Sequence, residues 1–355
     1  MKSKKYLEIY KSIKARILSG EFKSGNKLPS KRVMADLNGC SVITIENAYK
    51  CLCDEGYVYS EEKRGYFVSD IKVLSKPRNN KIEPIQMLEE EDVFPKDEFE
   101  YSLWFKTIRK VILDKGERLF VKSPNMGCAA LRNAISEYLS RYRGMHIPPS
   151  RIIVGSGSEQ LYETVVRILG SDKVYGIEDP SYKQIEAVYS GFSASIKKMK
   201  MSEDGISSES LKKEKIDVLH VTPFKSYPSG ATASPQKRAE YISWASENNG
   251  YIVEDDFNSE FFKPGNPIDS LLSLDKTDSV IYINTFSKSI SPSIRIGYMV
   301  IPERLLKTYN EKMSVYSCSV PVLDQYVLAE FISSGNFERH LNRVRRKIRT
   351  RPDCN

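Results

Sequence analysis

The sequence predicts an α/β protein in which a small helical domain precedes a larger domain built on a helix-covered sheet. In the second half of the chain, apolar, strand-like runs alternate with helical patterns, as at 151–155, 160–169 and 174–177. This alternation is typical of a sheet with helices on both faces. A length of 355 residues with 40% hydrophobic content is enough for two domains or more.

Basic residues are concentrated near the N-terminus. Residues 1–80 contain 16 lysines and arginines against nine aspartates and glutamates, a net charge of +7, whereas the remaining residues carry 38 against 37. A small basic domain joined to a nearly neutral one favours a nucleic-acid-binding module. Charge alone leaves a solvated surface as an equally good interpretation, because basic residues mark a binding surface only when the fold collects them on one face.

Helical spacing and turn residues predict the fold of this basic domain. Three short helices are expected over residues 6–18, 30–38 and 41–55, with Ser30 as the N-cap of the second and Gly39 in the turn after it. The second helix is expected to bury Val33, Met34 and Leu37. Two short helices across a glycine turn form a helix-turn-helix, whose second helix enters the major groove.

A β-hairpin is predicted directly after the third helix. Residues 57–60 and 66–68 have strand-like composition, and the segment between them is charged and ends in glycine. A hairpin in this position is a wing. The N-terminal domain is therefore predicted to be a winged helix-turn-helix.

Several motifs in this domain resemble the DNA-binding domain of GntR-type bacterial regulators. They are Leu28-Pro29-Ser30-Lys31-Arg32, Ala48-Tyr49 and Glu55-Gly56-Tyr57-Val58. The resemblance covers roughly residues 5–70 and implies binding to double-stranded DNA. The implied DNA-binding residues are Arg32, Ser41 and Thr44, which would touch phosphates or bases, and Lys63 and Arg64 at the wing. Val42 departs from the family, which usually has an arginine after the serine that opens the recognition helix.

The chain is expected to divide into four segments. The winged helix-turn-helix takes residues 1–72, and a polar, proline-interrupted linker takes 73–98. The larger domain follows over 99–325, and residues 326–355 are expected to begin a C-terminal region.

A lysine among hydroxyl groups carries the strongest chemical signal. Lys288 ends the run Thr285-Phe286-Ser287-Lys288, Arg295 follows seven residues later, and Glu254-Asp255-Asp256 closes an earlier apolar segment. A desolvated lysine forms a Schiff base with an aldehyde, hydroxyls and an arginine suit a phosphate, and an aspartate holds a pyridine nitrogen protonated. Together these groups match pyridoxal phosphate. The alternative is an ordinary surface lysine.

A possible phosphate site lies earlier in the chain. Ser156-Gly157-Ser158 falls between a predicted strand and a predicted helix, where free backbone N–H groups and the helix dipole favour a phosphate. Glycine and serine turns commonly serve only as connections, so this signal is weak by itself. The downstream lysine and arginine strengthen it.

The ordered motifs of the larger domain resemble a fold-type I aminotransferase. They are Asn125-Met126-Gly127, Gly155 to Gln160, Glu178-Asp179-Pro180-Ser181-Tyr182, Tyr227-Pro228-Ser229-Gly230, Glu254-Asp255-Asp256, and Thr285 to Lys288 with Arg295-Ile296-Gly297. Joined to the winged helix, this arrangement resembles the MocR subfamily of GntR regulators. By that resemblance Lys288 would bind the cofactor covalently, Asp255 would pair with its pyridine nitrogen, and Tyr182 would stack on its ring. The residues implied for the phosphate are Ser156, Gly157, Ser158, Thr285, Ser287 and Arg295.

Three departures from the family pattern are visible. Phe257 stands where the family usually has a tyrosine whose hydroxyl binds the cofactor's phenolic oxygen. Loss of that hydrogen bond would cost about 1 kcal/mol. Lys225-Ser226 replaces the His-Gln that the family tends to have. A small C-terminal domain, which carries a carboxylate-binding arginine in the family, is expected to be largely missing from this chain.

The leading functional hypothesis is a transcriptional regulator that uses pyridoxal phosphate, or its adduct with an amino acid or amine, as a ligand. The resemblance implies a homodimer formed through the large domains. Two alternatives remain open: a true aminotransferase, and a truncated regulator that binds DNA without responding to an effector.

Other classes of protein are disfavoured by composition. The segment 6–18 is interrupted by charges, which excludes a signal sequence, and no apolar run is long enough to span a membrane. The expected location is the cytoplasm. Six cysteines and three histidines lie far apart without paired spacing, so neither a metal cluster nor a disulfide framework is expected.

Overall fold

A computed structural model describes residues 5–70, 99–261 and 269–350. The chain divides into two compact units, Met1–Glu90 and Glu91–Asn355. The predicted linker over 73–98 lies outside the described residues.

The N-terminal unit contains three helices followed by a two-stranded antiparallel hairpin. The elements are α1 (Lys5–Leu18), α2 (Lys31–Asn38), α3 (Val42–Asp54), β1 (Val58–Glu61) and β2 (Gly65–Val68). The Ser30 hydroxyl accepts a hydrogen bond from the Val33 N–H and so caps α2. The left-handed φ of 54° at Gly39 ends that helix and turns the chain toward α3. The predicted winged helix-turn-helix is therefore present.

The core of this unit corrects one detail of the sequence prediction. α2 buries Met34 and Ala35, but Val33 is 50% exposed and Leu37 is 73% exposed. The prediction that Val33 and Leu37 face the core was wrong, because a helix of two turns presents only a narrow face to its neighbours. The core is instead completed by Leu28 and residues of the other helices.

The larger unit is built on an eight-stranded mixed sheet with the order β3-β10-β9-β8-β7-β4-β5-β6. Its strands are β3 (Ile152–Gly155), β4 (Val174–Asp179), β5 (Ser195–Ser202), β6 (Gly205–Ile206), β7 (Val218–Val221), β8 (Tyr251–Asp255), β9 (Val280–Thr285) and β10 (Gly297–Val300). Neighbouring strands from β5 through β4, β7 and β8 to β9 are parallel, whereas β10 is antiparallel to both β9 and β3. The alternation in the sequence thus predicts the parallel centre of the sheet.

Helices cover the sheet and connect its strands. They are α4 (Tyr101–Lys115), α5 (Ala129–Arg143), α6 (Ser158–Leu169), α7 (Lys183–Gly191), α8 (Ser208–Lys213), α9 (Pro235–Asn248), α10 (Leu271–Leu274), α11 (Phe286–Ser289), α12 (Leu306–Met313), α13 (Val322–Ser333) and α14 (Asn336–Thr350). Two separate apolar cores form, one around α5 and α9 and the other around α6 and α7. Alternate residues of β9 belong to different cores, since Tyr282 packs in the first and Ile281 and Ile283 pack in the second. Both faces of the sheet are therefore covered.

The last two helices belong to the core of the larger unit. Phe331 and Ile332 of α13 and Phe337 and Leu341 of α14 pack in the same core as α5. The expected domain boundary after Gln325 falls within α13, and this buried glutamine accepts a hydrogen bond of 2.6 Å from the Cys128 N–H. The described residues of α13 and α14 beyond 325 therefore pack as part of the larger unit.

No helix among the described residues is long and apolar enough to cross a membrane. Within the same residues, no group of histidine, cysteine and acidic side chains is arranged to hold a metal ion.

Candidate functional site

A cavity of about 440 Å³ opens at the carboxyl ends of the parallel strands β8 and β9. Ligands of open α/β sheets bind at this edge, because loops from several strands converge there. The cavity is lined by Ser158, Tyr162, Tyr182, Lys225, Ser226, Tyr227, Pro228, Gly230, Asp255, Phe257, Asn258, Thr285, Ser287, Lys288 and Arg295. A wider surface cavity of about 800 Å³ lies along α9, but its described lining includes neither a lysine nor an aromatic residue.

Lys288 lies in the short helix α11, directly after the last residue of β9. The Thr285 hydroxyl caps this helix by accepting a hydrogen bond of 3.2 Å from the Ser287 N–H. The Lys288 amine donates to Asn258 Oδ1 and stands 4.8 Å from the centre of the Phe257 ring. Although solvent reaches Lys288 through the cavity, burial of its amine lowers its pKa, and the charge of Lys225 lowers it further. An amine with a lowered pKa is a better nucleophile at neutral pH.

Asn258 joins the two lysines of the cavity. Its side-chain N–H donates to the Lys225 carbonyl at 3.0 Å, so its oxygen is directed to the Lys288 amine. Lys225 has a left-handed φ of 49°, which is uncommon for a residue with a side chain. The cavity lining contains three cations, the third being Arg295, and one carboxylate, Asp255. This charge balance suits an anionic ligand.

Asp255 ends β8 and is almost fully buried. Its Oδ2 accepts a hydrogen bond from the Tyr162 hydroxyl and lies 3.8 Å from His220 Nε2. The other carboxylate oxygen, Oδ1, has no hydrogen-bond partner among the described residues. A buried carboxylate oxygen without a donor is costly, so this atom is suited to receive a proton donor from a ligand.

Polar groups from three elements, including the Arg295 guanidinium, also line the cavity. Ser158 begins α6, where the N-terminal N–H groups of a 12-residue helix are available to an anion. Ser287 and Arg295 reach the cavity from α11 and from the loop before β10. Gly157 has a φ of 97°, and a Cβ there would lie 2.9 Å from Arg295 Nη2. A glycine at this position is therefore what allows the arginine to approach the turn.

The predicted phosphate residue Ser156 does not reach the cavity. Its backbone N–H donates to Gln160 Oε1 at 2.7 Å, and its hydroxyl lies 3.1 Å from the Ser319 hydroxyl. Both polar groups are thus engaged with neighbouring side chains. Seven of the nine predicted cofactor-binding residues line the cavity, with Ser156 and Gly157 outside the lining.

Tyr182 stands at the rim of the cavity, directly before α7. Its ring packs edge-to-face against Tyr227 with centroids 6.2 Å apart, and the residue is 37% exposed. A partly exposed aromatic ring at the mouth of a cavity is available to a planar ligand.

Buried charges hold the segment after Asp255 in place. Asp256 turns away from the cavity and forms a 2.8 Å ion pair with Arg143, and both side chains are buried. The Tyr282 hydroxyl donates to the same carboxylate at 2.7 Å. Glu260 accepts a 2.5 Å hydrogen bond from Tyr138, and burial raises the pKa of Glu260. Phe257 and Asn258 are therefore carried on a segment fixed at both ends.

The predicted DNA-binding residues lie on the surface of the N-terminal unit. Arg32 on α2 is exposed, as are Lys63 and Arg64 in the turn of the hairpin. The Ser41 hydroxyl caps α3 by accepting from the Thr44 N–H at 3.3 Å, so both residues sit at the start of that helix. Arg64 forms a 2.5 Å ion pair with Glu61 across the hairpin turn.

Comparison with protein families assigns both units. Residues 5–68 match the family described as bacterial regulatory proteins, gntR family, and residues 100–353 match aminotransferase class I and II. The HTH-type transcriptional regulator YdeL of Bacillus subtilis (strain 168) is 33% identical over 97% of this chain and 76% of its own length. The probable rhizopine catabolism regulatory protein MocR of Rhizobium meliloti is 28% identical over 96% of this chain and 74% of its own length.

This chain belongs to the MocR-type regulators of the GntR family. It is an HTH-type transcriptional regulator with an aminotransferase-like domain. Among solved structures, the α-aminoadipate aminotransferase LysN of Thermus thermophilus, complexed with N-(5'-phosphopyridoxyl)-L-leucine, matches with a TM-score of 0.63 and 26% identity. The match covers 71% of this chain and 65% of LysN. The resemblance to a MocR regulator with a fold-type I aminotransferase domain is thus confirmed.

The cavity of this MocR-type chain fits pyridoxal phosphate, the cofactor that its aminotransferase-like domain implies. The unpartnered Oδ1 of Asp255 is matched to a protonated pyridine nitrogen. The cavity contains an amine of lowered pKa, which can condense with an aldehyde. It also contains hydroxyls, a helix N-terminus and an arginine, which can donate hydrogen bonds to a phosphate.

Three residues of the site were missed by sequence reasoning. Tyr162 follows Ser158 by four residues, so helical spacing places both on one face of α6 and offered a signal. His220 lies on β7 with its Nε2 3.8 Å from Asp255 Oδ2, and its Nδ1 lies 2.7 Å from the Tyr189 hydroxyl. Asn258 follows the acidic run directly, but its contact with Lys288 depends on two separate strands.

Proposed function

We propose that this chain is a transcriptional regulator whose winged helix-turn-helix binds operator DNA and whose aminotransferase-like domain binds pyridoxal phosphate as a regulatory ligand. The observation that carries the proposal is the cavity around Lys288, whose lining combines this amine of lowered pKa with Asp255 and its unpartnered Oδ1. A DNA-binding domain in the same chain supports a regulatory use of that cavity.

Each group of the cofactor has a proposed partner. Lys288 would hold the aldehyde carbon, Asp255 the ring nitrogen and Tyr182 the ring face. Ser158, Thr285, Ser287 and Arg295 would hold the phosphate, with Gly157 providing room for the arginine and Ser156 supporting the turn from behind. When bound, pyridoxal phosphate supplies an aldehyde that condenses with amines and a ring that accepts electrons.

The residues around Lys288 favour binding over turnover. Asn258 holds the amine, and Phe257 offers an aromatic face without a hydroxyl to donate to the cofactor's phenolic oxygen. The relatives that match most of the chain are named as regulators. An aminotransferase remains the second candidate function, supported by the fold and by the accessible lysine. Several turnovers with pyridoxal phosphate and an amino acid would favour that candidate.

The remaining parts of the proposal concern partners and location. We place the DNA contacts at Arg32, Ser41, Thr44, Lys63 and Arg64. The effector is pyridoxal phosphate or its adduct with an amino acid or amine, the functional unit is a homodimer, and the location is the cytoplasm. The proposed winged-helix domain takes residues 1–72, of which the structure describes 5–70.

Covalent attachment of the cofactor tests the proposal directly. The purified chain is incubated with pyridoxal phosphate, reduced with borohydride and digested, and mass spectrometry is expected to locate the phosphopyridoxyl group on Lys288. Lys288→Ala should lose the modification together with the change in visible absorbance, whereas Lys307→Ala, which changes a largely exposed lysine, should keep both. Equal labelling of the Lys288→Ala variant would contradict the assignment.

A further inference from the structure

The start of α3 carries an exposed apolar pair. Val42 is 40% exposed and Ile43 is 68% exposed, and both belong to the first turn of the helix. In helix-turn-helix proteins the N-terminal residues of the second helix contact base edges in the major groove. Single exposed apolar residues need no explanation, but two adjacent β-branched side chains at this turn stand where bases are read.

The other exposed side chains of α3 leave few alternatives for reading bases. This helix contains no arginine and no glutamine, and its one lysine, Lys50, lies two turns beyond the first residue. The Glu46 carboxylate forms a 2.6 Å ion pair with Lys31 of α2, so it is already engaged. Asn47 is exposed, one turn after Ile43 on the same stripe of the helix.

The exposed side chains at the start of α3 suit an A·T pair better than a G·C pair. In the major groove a thymine presents a methyl group, which apolar side chains contact, and an adenine presents the donor and acceptor that asparagine binds. Guanine is read chiefly by arginine or lysine, and the first turn of α3 has neither.

We infer that Val42 and Ile43 read thymine methyl groups, so that the half-site bound by α3 is rich in A·T pairs, with Asn47 available to an adenine. Charge complementarity supports DNA as the occupant, because exposed Arg32, Lys63 and Arg64 supply cations for phosphates on neighbouring elements. The inference rests on the proposed DNA-binding function and adds the class of sequence that is read.

The first step of the test selects the site. The full chain is used to enrich duplexes from a randomised pool, and the bound sequences are expected to have A·T pairs at the positions that α3 covers. Failure to enrich any sequence would overturn both the DNA-binding function and the inference. An enriched half-site built of G·C pairs would overturn the inference and leave the DNA-binding function intact.

The second step removes only methyl groups. Each thymine of the selected site is replaced by uracil, and loss of one contacted methyl is expected to weaken binding about fourfold, the equivalent of one buried methyl group. Val42→Ala and Ile43→Ala should each abolish the effect at one position. Leu18→Ala, an exposed aliphatic residue on α1, should leave the full effect of uracil unchanged.

The third step asks for a gain of specificity. Val42→Arg places a guanine-binding group at the first turn of α3 and is expected to create a preference for G·C at one position of the selected site. Leu18, Val42 and Ile43 are all exposed, so the thermal melting temperature of each variant should stay that of the parent. Binding that is indifferent to uracil, with Val42→Ala and Ile43→Ala selecting the same site as the parent, would overturn the inference.

Discussion

At the scale of single residues, the reactivity of Lys288 depends on what surrounds its amine. Asn258 accepts its hydrogen bond, the Phe257 ring lies beside it, and Lys225 stands near it with a like charge. These neighbours come from the segment after β8 and from the loop after β7, whereas the lysine itself follows β9. The chemistry of the lysine is therefore set by residues distant in sequence.

Removal of the Lys225 charge should change the pH dependence of cofactor attachment. Burial and then Lys225 lower the pKa of Lys288, and only the neutral amine attacks an aldehyde. In Lys225→Ala the pKa of Lys288 rises toward its ordinary value, so attachment at a fixed pH slows and its rate profile moves to higher pH. Lys225→Arg keeps the charge and should keep the parent profile. The profile comes from stopped-flow absorbance, and an unchanged Lys225→Ala profile would contradict this account.

Residues with a local signature were predictable from sequence. Lys288 lies in a short polar run after an apolar strand and Asp255 in a polar run that ends one, and both line one cavity. Tyr162 and Asn258 carry no such signature, because their importance lies in contacts with Asp255 and Lys288 across the sheet. Ser156 also lies in a polar turn after a strand, but it is not part of the cavity lining, and its N–H donates to Gln160.

At the scale of secondary-structure elements, buried ion pairs fix the segment that follows β8. Arg143 ends α5 and reaches Asp256 at 2.8 Å, and the two buried side chains link a helix to the carboxyl edge of the sheet. Burial opposes the charge on Arg143, but Asp256 with its neighbours offsets this effect and the pKa of Arg143 is raised. The arginine therefore stays charged.

Loss of Arg143 should destabilise the larger unit. Arg143→Ala leaves the Asp256 carboxylate buried without its cation, which costs about 3–5 kcal/mol in the free energy of unfolding. Lys307→Ala removes a largely exposed lysine whose ion pair with Glu311 is 3.9 Å long, and should cost less than about 1 kcal/mol. Urea unfolding monitored by circular dichroism compares the two variants. Equal losses of unfolding free energy in the two variants would show that the buried ion pair does not stabilise the larger unit.

Elements were easier to predict than their faces and boundaries. Apolar runs between turn residues identified β3, β4, β7 and β8, because strands covered by helices on both faces of the sheet are apolar on both sides. The face of α2 was mispredicted, since two helical turns contain too few residues to define a stripe. The boundary after Gln325 stays a prediction, because α13 is apolar around most of its circumference and its sequence does not mark the end of a domain.

At the scale of the whole molecule, the chain joins a basic unit to a nearly neutral one. Binding of DNA by the first unit would release counterions, so affinity should fall steeply with salt concentration. Replacement of Lys63 by alanine should reduce the slope of log affinity against log salt by about one, with little change in sequence preference. Lys197→Ala, on β5 of the larger unit, should keep the parent slope. Fluorescence anisotropy across a salt series measures both.

The regulatory proposal requires the two ligands to be coupled. If pyridoxal phosphate binding to the larger unit changes the affinity of the chain for its operator by some factor, operator binding must change the affinity for pyridoxal phosphate by the same factor. Typical couplings correspond to about 5–150-fold. We expect anisotropy with and without the cofactor to show such a change, and Lys288→Ala, which loses covalent attachment, to weaken or abolish it. Cofactor titrations with and without operator give the reciprocal value. Tight binding of both ligands with a factor of one would mean that the cavity binds its cofactor without regulating DNA binding, because a ligand with equal affinity for both states shifts neither.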